Sequence, residues 1–182
     1  TIGRLINQKG QWHLIRTFRE VVKEIPKAKL IILGRGELKE FLQEVIEKNK
    51  LENNVYLYGF KQNPYKYMYN SDLFVLPSLY EGMSNVLLEA MSCELPIIAT
   101  DSEGGNKEIL QNNYGILIKK FDGKYYTTEP LTKEEIILKE NIINLLKDKN
   151  LRNQYKEKSK ERIKYFNKEK NLEKWINLLD NI

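Results

Sequence analysis

Residues 71–100 read SDLFVLPSLYEGMSNVLLEAMSCELPIIAT. Leu73 to Leu76 form an unbroken apolar run without polar alternation, which reads as a strand buried on both faces. Pro77 and Ser78 end it. After a loop carrying Glu81 and Gly82, SNVLLEAMS reads as a helix and LPIIAT as the next strand. Strands of this kind separated by helices imply a parallel sheet with helices on its faces.

The same alternation extends on both sides. TIGRL reads as the end of a strand. WHLIRTFREVVKEI places Leu14, Ile15, Phe18, Val21, Val22 and Ile25 on one helical face, and Pro26 stops that helix. AKLIILGRGE is a buried strand running into a Gly-x-Gly turn, LKEFLQEVIEKNK a helix, NVYLYGF a strand, and PYKYMYN a short helix opened by Pro64. Beyond residue 100, NKEILQ gives one or two helical turns and YGILIK a last strand. A polar stretch with a turn at Asp122-Gly123 leads to helices at about 133–148, 151–164 and 168–180. The fold class is therefore α/β: a Rossmann-like open parallel sheet sandwiched by helices, one domain over 1–182 of which 133–182 is a helical tail. Such sheets bind ligands at the carboxyl ends of their strands. Here those ends are Gly34 to Gly36, Gly59 to Lys61, Ser78 to Ser84 and Thr100 to Gly105.

The chain has 182 residues, 41% hydrophobic and 30% charged, which suits one ordinary domain or one lobe of a larger protein. It opens on Thr1 without Met and with no signal peptide, which reads as a cut through a longer polypeptide. No apolar run approaches the roughly 20 residues of a membrane span. A single cysteine, Cys93, excludes an internal disulfide and fits a cytoplasmic location. With one histidine, His13, and no Cys/His ligand set, neither a metal nor a cofactor is expected. His13 is read as exposed or capping, and Cys93 as a small buried residue. The net charge of +5 fits an anionic partner, but the cations are interspersed with acids, as on an ordinary solvated surface. Tyr65, Tyr67, Met68 and Tyr69 read as a tyrosine-rich helix over a sheet edge. With no basic stripe interleaved with aromatics, no nucleic-acid partner is expected.

Glu81 and Glu89 stand on either side of a helix start near Ser84 or Asn85. The free N–H groups and dipole of that first turn favour an anion such as phosphate. Ser84 reads as its cap, and Gly82 as a point of close backbone approach. A carboxylate repels a diphosphate but accepts hydrogen bonds from hydroxyls. Helical side chains lean toward the N-terminus, so Glu89 reaches back to accept two ribose hydroxyls, while Glu81 accepts from hydroxyls at the ligand's other end. A sugar, a diphosphate and a ribose in a row make a nucleotide sugar. Arg4 and Lys9, at another strand end, supply the cations: Arg forks phosphate oxygens and Lys adds a point charge.

GRLINQKG, LIILGRGE, NVYLYGF, SDLFVLPSLYEGMSNVLLEAMSCELPIIATDSEGG and KEIL follow one another as in the retaining glycosyltransferases of family four, which the chain resembles from about residue 1 to 118. That resemblance implies the carboxyl-terminal, donor-binding lobe of a GT-B fold, with the amino-terminal acceptor lobe missing and the isolated chain inactive. It implies that Arg4 and Lys9 hold the donor diphosphate, Glu89 the ribose and Glu81 the transferred sugar. Gly82, Met83, Ser84 and Asn85 would meet the phosphate or sugar, and Phe60 and Lys61 would edge the base. Glu81, Arg4 and Lys9 are thus the candidate catalytic residues, acting on a UDP- or GDP-linked sugar without a metal. The family's chemistry is front-face attack assisted by the leaving diphosphate. The acceptor would be a glycan or lipid-linked molecule, in bacterial capsule or lipopolysaccharide synthesis, with possible peripheral contact at the inner face of the membrane. Two departures stand out. Met83 and Ser84 replace an aromatic and a proline, and Glu94 replaces a glycine whose left-handed cap is worth about 1 kcal/mol. An epimerase or sugar-phosphate synthase lobe, or a non-catalytic nucleotide-binding module, would use the same fold.

Overall fold

The computed structural model describes residues 1–102 and 104–166, together with Leu172, Ile176 and Leu179. Five parallel strands, β1 (Leu30–Leu33), β2 (Val55–Gly59), β3 (Phe74–Leu76), β4 (Ile97–Asp101) and β5 (Ile116–Lys119), alternate with helices. The helices are α1 (Gln11–Glu24), α2 (Lys39–Lys48), α3 (Tyr65–Met68), α4 (Asn85–Ser92) and α5 (Gly105–Leu110). Two longer ones, α6 (Lys133–Lys147) and α7 (Lys149–Ile163), follow. The third tail helix, read at 168–180, lies outside the described residues but for Leu172, Ile176 and Leu179.

The strands form two ladders, β1-β2 and β3-β4-β5. The first is lengthened by the chain start: Thr1 N donates to Ile31 O at 3.0 Å, Leu33 N to Thr1 O at 3.0 Å and Gly3 N to Leu33 O at 2.9 Å. Ile2, the bridge residue of this segment, packs into the core beneath β3 and β4 and so ties the two ladders together. The close approach demands glycine at Gly34, where φ is +147° and a Cβ would lie 1.8 Å from Gly3 O.

The expected apolar faces meet in the core. Leu14, Ile15, Phe18 and Val21 of α1 are buried against β1 and α6, with Val22 and Ile25 at the margin. Leu87, Ala90 and Met91 of α4 are buried against β3 and β4. Each such Leu or Phe contributes about 1.5–3 kcal/mol. Cys93 is buried as expected, and Pro64 caps α3, whose Tyr67 packs edge-on to Tyr58 of β2 at 5.9 Å.

His13 departs from the sequence reading. It is neither exposed nor a cap but fully buried, and so are Arg16 and Glu135. Glu135 opens α6 in a capping box with Thr132: Thr132 Oγ1 accepts from Glu135 N at 3.2 Å, and Thr132 N donates to Glu135 Oε2 at 2.8 Å. The same carboxylate accepts from His13 Nδ1 at 2.8 Å, Arg16 Nε at 2.9 Å and Arg16 Nη2 at 3.1 Å. Burial opposes ionisation of Glu135, but the His13 and Arg16 hydrogen bonds, the Thr132 amide and the Arg16 charge outweigh it and hold the carboxyl below the usual range. The polar stretch 120–131 folds over this cluster, with Phe121 stacked on His13 and Tyr125 on Trp12.

Candidate functional site

The site lies at the carboxyl ends of the strands, where the turn before α1, the loop after β3 and the loop after β4 converge. Residues Asn7–Lys9 form a 3-10 turn pinned to the β3 loop by two bonds. Leu79 N donates to Gln8 O at 2.8 Å, and Gln8 Nε2 donates to Tyr80 O at 3.0 Å. This docking sets Lys9 against Glu81, with Nζ 2.5 Å from Oε1 and both side chains largely buried. Ser78 Oγ donates to the same Oε1 at 2.6 Å. Among the described residues the second carboxylate oxygen of Glu81 accepts no hydrogen bond.

Behind this loop runs a buried polar chain that the sequence reading missed. Thr100 Oγ1 donates to Ser78 O. Asn106 Nδ2 donates to Thr100 O at 3.1 Å and to Ser102 Oγ at 2.9 Å, and Ser84 Oγ donates to Asn106 Oδ1 at 2.6 Å. Ser84 does occupy the N-cap position of α4, but its hydroxyl is turned to Asn106 and makes no cap bond, which corrects the expected role. Separately, the amides of Gly82, Met83 and Ser84 donate to no acceptor among the described residues. Gly105 N donates to Gly82 O at 2.7 Å, and Gly104, at φ +133°, would place a Cβ 1.9 Å from Glu81 O. The glycine needed for backbone contact is thus Gly104, whereas the space around Gly82 is open. The signal for the missed residues was the run of small polar side chains from Thr100 onward, at a strand end where apolar residues would ordinarily continue the core.

Arg4, Phe60 and Lys61 surround a second feature, a cavity of about 390 Å³ beside the ends of β1 and β2, whose other lining includes Ile2, Leu33, Arg35 and Pro64. Arg4 is exposed and has no acidic partner among the described residues. The Arg35 guanidinium lies 5.5 Å from the centre of the exposed Phe60 ring. Gly82, Met83 and Asn85 are exposed along the loop and first turn of α4. Glu89, in the second turn, is half-buried, and its carboxylate accepts no hydrogen bond and forms no ion pair among the described residues. The structure therefore brings Lys9 to Glu81, and Arg4 to Phe60 and Lys61. Glu89 touches neither pair. Among the described residues no three His, Cys, Asp or Glu side chains converge as a metal site, and no helix is long and apolar enough to cross a membrane.

The strand ends thus carry an apolar slot flanked by cations, amides without acceptors ahead of α4, a half-engaged Glu81 carboxylate and, among the described residues, an unengaged Glu89. The family profile described as glycosyl transferases group 1 matches residues 1–162. The chain belongs to this glycosyltransferase family. It is 43% identical over 197 residues to an uncharacterised glycosyltransferase of Methanocaldococcus jannaschii, covering 98% of this chain and 48% of that protein. It is 34% identical over 171 residues to the N-acetylgalactosamine-N,N'-diacetylbacillosaminyl-diphospho-undecaprenol 4-alpha-N-acetylgalactosaminyltransferase of Campylobacter jejuni, covering 93% of this chain and 43% of that one. Among solved structures, S. aureus TarM in complex with UDP, alpha-GlcNAc-glycerol and fondaparinux superposes with a TM-score of 0.83 at 30% identity, over 97% of this chain and 34% of TarM. The chain thus spans about half the length, or less, of these relatives, and its fold matches that part of their GT-B glycosyltransferase architecture.

Proposed function

We propose that the chain is the donor-binding, carboxyl-terminal lobe of a retaining family-four glycosyltransferase. It would move a sugar from a nucleoside diphosphate to a glycan or lipid-linked acceptor in surface polysaccharide synthesis. The observation that carries this reading is the meeting of Lys9 and Glu81 over a braced loop, with Glu89 unengaged on the helix that follows. The donor base enters the slot edged by Phe60 and Lys61. Arg4, Lys9 and the free amides of Gly82 to Ser84 receive the diphosphate, Glu89 the ribose hydroxyls and Glu81 the sugar. As the bond from the anomeric carbon to the phosphate oxygen breaks, negative charge develops on the leaving diphosphate, which these cations and amides stabilise. The acceptor hydroxyl attacks from the same face and passes its proton to the departing phosphate oxygen.

The acceptor and the opposite wall of the site belong, in this reading, to an amino-terminal lobe, so the chain alone does not turn over. The undecaprenol in the Campylobacter relative's name supports a lipid-linked acceptor, and the net charge of +5 would favour the anionic inner face of the membrane. Titration calorimetry tests the donor reading. UDP or GDP should bind with a micromolar-to-millimolar Kd that Glu89→Ala and Arg4→Ala each raise about tenfold, the scale of a lost charge-assisted bond. A folded chain that binds neither nucleotide contradicts it.

A further inference from the structure

We propose that Ser78 is a positioning residue for Glu81, the donor that keeps the carboxylate aimed at the sugar after Lys9 turns to the diphosphate. This rests on the donor-site reading above. Oε1 of Glu81 accepts from Lys9 Nζ and Ser78 Oγ together, at 2.5 and 2.6 Å. An arriving diphosphate competes for Lys9, whose ammonium rides on a flexible four-carbon stem. Ser78 has no such freedom. It is 0% exposed, its backbone carbonyl is held by Thr100 Oγ1, and its hydroxyl sits at the short distance of a bond to an ionised carboxylate. The Glu81–Gly82 backbone is fixed from the other side by Gly104 and Gly105. When the ammonium leaves, Ser78 is the one donor left on Glu81 among the described residues, and it holds Oε1 while Oε2 faces the ligand. Lys9 can therefore serve the phosphates without releasing the acid.

The consequence is a separation of two affinities. Calorimetry of wild type and Ser78→Ala with UDP and UDP-N-acetylglucosamine, and with GDP and GDP-mannose as a second pair, reads it directly. In the variant the nucleotide-sugar Kd should rise about tenfold while the bare nucleotide Kd moves less than threefold, because the lost bond is charge-assisted and acts on the sugar's partner. Ser78→Cys, similar in shape but a weak donor, should fall between. Melting curves identify a variant that fails to fold, in which case Ser78→Cys carries the test. Equal weakening of nucleotide and nucleotide sugar would mean a structural role only, and an unchanged nucleotide-sugar Kd would mean no role. Either overturns the proposal while leaving the donor site standing. A wild-type chain that binds no nucleotide overturns both.

Discussion

One short run of chain, Lys9 through Arg16, carries two clusters of charge that differ in a single respect. His13 and Arg16 meet Glu135 in the interior, where every carboxylate lone pair has a donor and no group faces solvent. Lys9 meets Glu81 at the rim, where one carboxylate oxygen, the Gly82 to Ser84 amides and the Glu89 carboxylate stay unengaged among the described residues. The residue types are alike, and satisfaction of the carboxylate divides them. A buried carboxylate with a donor on every lone pair, though the His13 beside it keeps an unpartnered Nε2, fixes one arrangement of α1, α6 and the 120–131 stretch, whereas a partly satisfied carboxylate at a strand end is a place for a ligand.

The comparison breaks most visibly at Glu135. Glu135→Gln leaves the buried Arg16 charge with only the half-exposed Glu129 carboxylate, 3.3 Å away, as counter-ion among the described residues, and should cost about 3 kcal/mol in denaturant unfolding, the low end for broken buried pairs. At the rim, Glu89→Ala should change stability by less than about 0.5 kcal/mol while weakening nucleotide binding. Equal losses at the two sites would erase the distinction.

Acid sharpens it. Because the folded-state carboxyl of Glu135 titrates below its unfolded value of about 4.3, its contribution is present above that pH and is lost as pH falls through the lower, folded value. Unfolding free energy of the wild type should therefore decline on acidification below about pH 4.3, and the decline should be shallower in Glu135→Gln. Identical slopes would show that other carboxylates govern acid sensitivity.

The smallest effect concerns Glu94, which sits at φ +59° after α4 with its N–H bonded to Met91 O at 2.9 Å. The left-handed cap lacks the glycine that suits it, yet the chain keeps the conformation and sets Glu94 3.2 Å from Lys160. Glu94→Gly should stabilise by about 0.5 kcal/mol, relief of strain exceeding the loss of an exposed ion pair, and should raise Tm by roughly 1–2 °C.

The difference between the two clusters also explains what could be read from the sequence. The βαβ order was legible because β1 and β3 are apolar without interruption and α1 and α4 show a one-sided apolar face. Glu81 and Glu89 stood out because both flank a helix start beside a glycine. The interior cluster was not legible: His13 and Glu135 are 122 positions apart, and their pairing depends on how 120–131 folds, a stretch without a regular apolar period. Ser78 and Asn106 escaped for a related reason, since a small polar residue at a strand end looks alike whether it faces water or another loop. The ion pair between Lys9 and Glu81 was likewise hidden, because separate strand ends give no distance between their side chains.

A crystal structure of the chain soaked with UDP-N-acetylglucosamine tests the central claim most directly. The account predicts the uracil in the slot beside Phe60 and Lys61, ribose hydroxyls within hydrogen-bond distance of Glu89, the diphosphate against Arg4 with Lys9 drawn from Glu81, and Ser78 still bonded to that carboxylate. A nucleotide bound elsewhere, or one seated here with Glu89 turned away and Lys9 unmoved, would contradict it.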